Sequence, residues 1–191
     1  MPKKVKKFPT IREVDKQLHE ACRALSPSKI EKAIMAGADV NAPDCKRQEA
    51  PIDMVVNNVI DVDREHYFAD EKKQEKVHEA IDILLQHGAS PNGLQGGTDT
   101  PLYWFAWLYF DLYIVRRLCR AGADVNELHD GRTLYDLTEE ESIFLELDSQ
   151  KDYPRKEECL RKLEQIQKVL RYYGAKSSFE LKEEAGQQAG D

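Results

Sequence analysis

The feature that most constrains this chain is a short phrase that it repeats. Gly37-Ala38-Asp39-Val40-Asn41 returns as Gly88-Ala89-Ser90-Pro91-Asn92 and as Gly122-Ala123-Asp124-Val125-Asn126, with a worn copy at Gly174-Ala175-Lys176-Ser177-Ser178. The glycines stand 51, 34 and 52 residues apart. Self-similarity of this kind marks an array, in which each unit buries its apolar face only by stacking on its neighbours. The middle interval is one short unit. The outer two are that unit lengthened by about half.

Each phrase closes an amphipathic stretch. Val77, Ile81, Leu84 and Leu85 precede Gly88; Leu112, Ile114, Val115 and Leu118 precede Gly122; Leu160, Leu163, Ile166, Val169 and Leu170 precede Gly174. Steps of three and four put these on one helical stripe. The glycine ends the helix, since it enters the left-handed region cheaply, and Asp and Asn favour the turn that follows. A second helix start follows each turn, at Ala50-Pro51-Ile52-Asp53, Thr100-Pro101-Leu102-Tyr103 and Thr133-Leu134-Tyr135-Asp136. Thr10-Ile11-Arg12-Glu13 and Ser28-Lys29-Ile30-Glu31 have the form of capping boxes.

Helix, short loop, helix, glycine and long turn, with a period near 33, resembles the ankyrin-repeat family. The Gly-Ala-Asp-Val-Asn phrases and the Thr100-Pro101-Leu102 start carry the resemblance, over roughly residues 10 to 178. It implies an all-α fold, an ankyrin-repeat solenoid of about four helix-turn-helix repeats, at 10–40, 41–91, 92–125 and 126–177. A basic N-terminus, 1–9, and a polar tail, 178–191, expected to lack regular structure, flank this domain. The family's histidine, which ties neighbouring repeats together, survives as His19; Asp53, Tyr103 and Asp136 stand in its other places.

The added residues contain no Gly or Pro between Asn57 and Gln74, and Ile52, Val55, Val59 and Val62 keep helical spacing. Repeats 2 and 4 are therefore expected to have elongated helices. The loop of repeat 2 is placed at 64–70, with Asp70 capping the next helix. In repeat 4, Ile143 to Leu147 extend the first helix, 148–152 form the loop and Pro154 opens the second helix. Between these extensions falls a dense aromatic segment. Seven of the sixteen aromatic residues lie from Tyr103 to Tyr113. They can pack against the extensions, expose binding anchors, or divide between the two roles. Packing is the expectation for Tyr109 and Phe110, partial exposure for Trp107.

Charge and composition narrow the function. The net charge of −7 argues against binding duplex nucleic acid. No run approaches 18 apolar residues, so no membrane span is expected. The basic opening, Met1 to Pro9, is not followed by the apolar stretch of a secretory leader. Cys22, Cys45, Cys119 and Cys159 lack paired spacing and read as reduced thiols. No metal or cofactor motif is present, and no nucleophile stands beside a base in sequence.

The resemblance implies a non-catalytic protein–protein interaction module, a monomer in the cytoplasm, that binds a partner protein on its concave surface and turn tips. The contact residues it points to are Lys46, Arg47, Asn57 and Asn58 in repeat 2, Leu94, Trp104 and Trp107 in repeat 3, and His129 and Glu140 in repeat 4. In a metazoan cytosol it also makes Asn126 a candidate substrate for the asparaginyl hydroxylase that modifies ankyrin turns, with Leu118 eight residues before it and Asn41 the poorer site; the alternative is an ordinary turn asparagine. Two alternatives stand beside this. One is a bacterial effector secreted into a host cell. The other is an enzyme or small-ligand cleft between the elongated hairpins, using Asp61, Asp63, Glu141 and Glu146.

Overall fold

The computed structural model describes residues 11–45, 47–60, 64–94, 99–147 and 155–188. It is mostly helical. The helices are α1 (Glu13–Arg23), α2 (Pro27–Met35), α3 (Pro51–Ile60), α4 (Arg64–Ala69), α5 (Glu71–Gln86), α6 (Pro101–Tyr103), α7 (Leu112–Arg120), α8 (Leu134–Leu147), α9 (Lys156–Tyr172) and α10 (Ser178–Gln188). Helix α6 runs directly into a wider π-helical turn, Trp104–Leu108.

These elements form two layers. In one, α1 packs on α3, α3 on α6, and the π turn on α8. In the other, α2 packs on α5, α5 on α7 and α7 on α9. The core runs between the layers through Leu18, Ile30, Val55, Ile81, Leu84, Phe105, Ile114, Leu118, Leu163 and Ile166, all fully buried.

The phrase glycines do what the sequence predicts. Gly37, Gly88, Gly122 and Gly174 have φ of +92°, +85°, +91° and +89°. After each, the next residue's N–H reaches back to a carbonyl five residues earlier: Ala38 to Ala33, Ala89 to Leu84, Ala123 to Leu118 and Ala175 to Leu170. This is the Schellman closure of a helix end. The turn asparagines then link one phrase to the next. Asn41 donates from Nδ2 to Gly88 O at 2.9 Å and accepts from Ser90 N–H at 2.8 Å. Asn92 accepts from Asp124 N–H at 2.8 Å. Asn126 donates to Gly174 O at 3.1 Å and accepts from Lys176 N–H at 2.8 Å.

A second set of ties starts from the middle of α1 and from the first turns of α3, α6 and α8. His19 Nε2 donates to Ala42 O at 2.8 Å. Asp53 accepts from Leu94 N–H at 3.1 Å, and Asp136 from Ser178 N–H at 2.9 Å. Tyr103 stacks its ring on His129, with centroids 4.2 Å apart. The aspartates keep the link to the next unit by reversing its polarity: they accept from an N–H where a histidine donates to a carbonyl.

The structure corrects several local expectations. Helix α1 opens after Arg12, and Thr10 of the first capping box lies outside the described residues. Ser28 lies inside α2, which opens at Pro27, so the second capping box does not form. Residues 64–69 are a short helix rather than a loop, although Asp70 does cap α5 through Lys73 N–H at 2.9 Å. The second helix of the last unit opens at Lys156, and the loop placed at 148–152, with Pro154, lies outside the described residues. The tail from Ser178 to Gln188 is helical. None of residues 178–187 is buried, and α10 is held by Arg171–Glu180 and Lys176–Glu184 ion pairs, each at 2.6 Å.

The extension after α3 folds onto the aromatic segment. Tyr67 of α4 is fully buried, 4.9 Å from the Tyr109 ring, and its hydroxyl donates to Asp111 at 2.6 Å. Tyr109 is also fully buried and donates to Val59 O. Arg64 donates to Leu108 O, lies over the Phe110 ring and faces Glu141 of α8 at 3.3 Å. The extension of α8 behaves differently. Leu145 is buried, while Ile143, Phe144 and Leu147 are exposed.

Candidate functional site

In the first layer α3 and the π turn carry buried and half-buried residues, and α8 also carries exposed ones. Between α3 and the π turn lies a groove of about 430 Å³. Arg47, Asn57, Leu94 and Trp104 line it, together with Asp53 and Asp99. Four of the sequence-predicted contact residues thus meet in one depression. They come from a loop, a helix, a second loop and a π turn.

Local chemistry builds this groove. Asp53, on the first turn of α3, accepts from Ala50 N–H at 3.0 Å and from Leu94 N–H at 3.1 Å. One carboxylate therefore caps its own helix and holds the loop that carries Leu94. Burial pushes the Asp53 carboxyl above the usual aspartate range, and the two N–H groups only partly oppose it. On the opposite wall, Thr100 caps α6 through Tyr103 N–H at 3.3 Å, and Pro101 sits at the first helical position. The π turn then adds a residue per turn, and Tyr109 N–H bonds to Trp104 O. Both indoles, Trp104 and Trp107, are half-buried and pack around Tyr103, with ring centroids 5.5 and 5.2 Å away. Half-buried tryptophans beside polar side chains suit anchoring of another protein.

The remaining predicted contacts scatter. Lys46 lies outside the described residues. Asn58 faces inward: its Nδ2 donates to Cys22 O at 3.2 Å and Met54 O at 2.8 Å, so it ties α3 to α1 and is not a partner contact. His129 stacks on Tyr103 and lies 3.8 Å from Asp99 and 3.9 Å from Glu127. It supports the rim of the groove. Glu140 is exposed on α8 and paired with Arg132 at 2.6 Å. Asn126 is half-buried, with both ends of its amide engaged between turns.

Of the four carboxylates considered for a cleft, only Glu141 and Glu146 are described. Asp61 and Asp63 lie outside the described residues, Glu141 faces Arg64, and Glu146 is exposed. Among the described residues no group of three His, Cys, Asp or Glu could hold a metal ion. Cys22, Cys119 and Cys159 are buried and Cys45 half-buried, all as free thiols; burial pushes Cys22 and Cys119 up to about 12.

Two features escaped the sequence. The first is the cluster of buried Tyr67 and Asp111 with half-buried His78. His78 Nε2 lies 2.8 Å from the Asp111 oxygen that also accepts from Tyr67. Burial would raise the Asp111 carboxyl, but the His78 and Tyr67 hydrogen bonds hold it below its ordinary value. Asp111 also caps α7 through Ile114 N–H at 3.1 Å. No spacing rule links three residues on separate elements. The second is a hairpin, Leu128–His129 paired with Arg132–Thr133. Its signal was present as Asp130-Gly131, both at positive φ, the dipeptide that suits a two-residue hairpin turn.

A comparison with protein-family models finds no match, and a comparison with curated proteins finds none either. Among the described residues no helix is long and apolar enough to cross a membrane.

Proposed function

We propose that this chain is an ankyrin-type repeat protein that binds a partner protein across the groove of its first helical layer. The observation that carries this reading is the groove of about 430 Å³ in which Arg47, Asn57, Leu94 and Trp104 converge. The turn ladder through Asn41, Asn92 and Asn126 supports the repeat assignment, because it joins the phrases that carry the resemblance. The groove supplies an aromatic wall, amide and guanidinium hydrogen-bonding groups, and rigid helices beneath them. None of these groups needs a cofactor to bind a protein surface.

Affinity capture from the source cell, with photo-crosslinking from position 57, tests this. A protein captured and crosslinked by the native chain, but lost with Trp104→Ala at unchanged melting temperature, is the expected result. Capture that is indifferent to Trp104→Ala and to Asn57→Ala together would refute it.

A further inference from the structure

The second helical layer carries a groove of a different chemistry. It lies between α7 and the C-terminal end of α9 and has a volume of about 670 Å³. Its α7 wall presents Arg116, Arg117 and Arg120; the α9 wall presents Tyr172 and Tyr173. Leu112, Tyr113 and Val169 give it an apolar floor. Arg117 is committed to Asp82 at 2.6 Å. Arg116 and Arg120 are exposed, and neither has an ion-pair or hydrogen-bond partner among the described residues. In a chain of net charge −7, two unpaired guanidinium groups beside exposed tyrosines are a local inversion of the overall field.

We infer that this groove binds an acidic peptide segment of a partner protein, with an apolar side chain on the floor and carboxylates on Arg116 and Arg120. The spacing supports this occupant. Arg116 and Arg120 are four apart on one helix, so they stack on one face about 6 Å apart along its axis. Carboxylates one helical turn apart, or on alternate residues of an extended strand, have the same separation. Tyr172 is 82% exposed and meets Tyr173 edge-on with centroids 5.1 Å apart, so an apolar side chain can lie against the rings while their hydroxyls reach water or a carboxylate. Guanidinium groups recognise carboxylates with paired N–H donors, and their charge speeds encounter with an acidic segment. The site is separate from the groove of the first layer, so one chain can hold two partners.

Selection of a random-peptide phage library on the full chain, followed by fluorescence anisotropy of the recovered peptides, is the test. The expected pool is rich in Asp and Glu around Leu, Ile or Phe. Arg116→Glu with Arg120→Glu should weaken these peptides by roughly tenfold or more, with an unchanged thermal melt because both side chains are exposed. Tyr172→Ala, also at an exposed site, should weaken them without altering charge. Raising salt from about 50 to about 300 mM should weaken them further, and Trp104→Ala should leave them unaffected, which separates this site from the groove of the first layer. A neutral or basic pool, or acidic peptides that bind the charge-reversed chain as tightly, would overturn the proposal. So would a single-stranded oligonucleotide that binds the same arginines more tightly than any recovered peptide.

Discussion

Replacing Gly93 by alanine should be far more damaging than replacing Gly37, although both glycines are at positive φ. Gly37 is at +92° and Gly93 at +67°. An alanine held in the left-handed region costs about 1 kcal/mol at either position. A Cβ at Gly37 would meet nothing within 4 Å. At Gly93 it would lie 2.0 Å from Asp53 Oδ1 and 2.9 Å from Asp53 Cγ. No real contact is that short, so the Asp53 carboxylate must move. It would then lose its bonds to Ala50 N–H and Leu94 N–H, worth about 1 to 1.5 kcal/mol each. The sum is about 3 to 4 kcal/mol for Gly93→Ala against about 1 for Gly37→Ala.

Urea unfolding followed by circular dichroism measures the difference, provided the two variants keep the native slope. A double-mutant cycle isolates the cause. With Asp53→Ala in place, the carboxylate is gone and Gly93→Ala should cost only the backbone penalty, giving a coupling of about 2 to 3 kcal/mol. Because Asp53 holds the loop of Leu94, Gly93→Ala should also weaken partner binding, and Gly37→Ala should not. If Gly93→Ala matches Gly37→Ala, or the cycle is additive, the close approach of Gly93 to Asp53 does not hold the groove.

Asn126→Ala removes two bonds of the turn ladder and should cost about 1 to 2 kcal/mol, with amide exchange at Lys176 accelerated more than at Ala89; equal acceleration would show that the ladder is not local. Tyr67→Phe keeps the ring but deletes the bond to Asp111, and should cost about 1 to 2 kcal/mol by denaturant unfolding. A stabilised variant would show that Asp111 is satisfied by His78 and Ile114 N–H alone. Acid titration separates two groups of carboxylates. Asp15, Asp44, Asp111 and Asp136 sit below their ordinary values: burial opposes this in each, but hydrogen bonds outweigh it, joined in the first three by a neighbouring basic side chain. Their contribution is present above about pH 4 and is lost as pH falls through the folded values. Asp53, raised by burial, acts in the opposite sense, its ionisation costing stability as pH rises through and above the ordinary aspartate range. Melting temperature should therefore fall below about pH 4, and Asp53→Asn should change the shape of that profile. Glu180 is lowered to about 2 by Ser177 N–H and Arg171, so α10 should stay attached in mild acid and detach with Glu180→Gln, read as lost helicity without a change in the main transition.

The sequence was most legible where one residue type has few substitutes. Each phrase glycine stands at positive φ because the helix end demands it there, and the asparagine four residues on faces the next phrase across the stack. Apolar stripes were legible for the same reason: Ile114, Val115 and Leu118 have only one layer to pack into. The second capping box was a poor guide. Ser28 has the right spacing, but Ser26-Pro27 opens α2 two residues earlier, and proline at the first helical position fixes the start. Asn58 has a surface residue's chemistry, and in sequence it reads as a contact. Its direction depends on where Cys22 O lies, 36 residues away, which no local pattern encodes.

The aromatic segment shows why exposure was harder to read than helicity. Tyr103, Trp104, Phe105, Trp107, Tyr109 and Phe110 follow one another too closely for a single helical stripe. An α-helix over these residues would place successive rings about 100° apart. The π turn holds more residues per turn and so narrows that step, and Phe110 at φ +48° breaks the helix, so Phe105, Tyr109 and Phe110 turn inward together. Trp104 and Trp107 are left at the edge. The extension of the second unit then decides the rest. Tyr67 and Arg64 cover Tyr109 and Phe110 from one side, through Asp111, Leu108 O and Glu141. Nothing in the described residues covers the two indoles in the same way. Tyr67 and Arg64 thus help to bury Tyr109 and Phe110, while Tyr103, Trp104 and Trp107 stay half-buried, Trp104 on the groove wall. A variant that loosens α4 should therefore release the packing of Tyr109 and Phe110 before it alters the groove wall formed by α3.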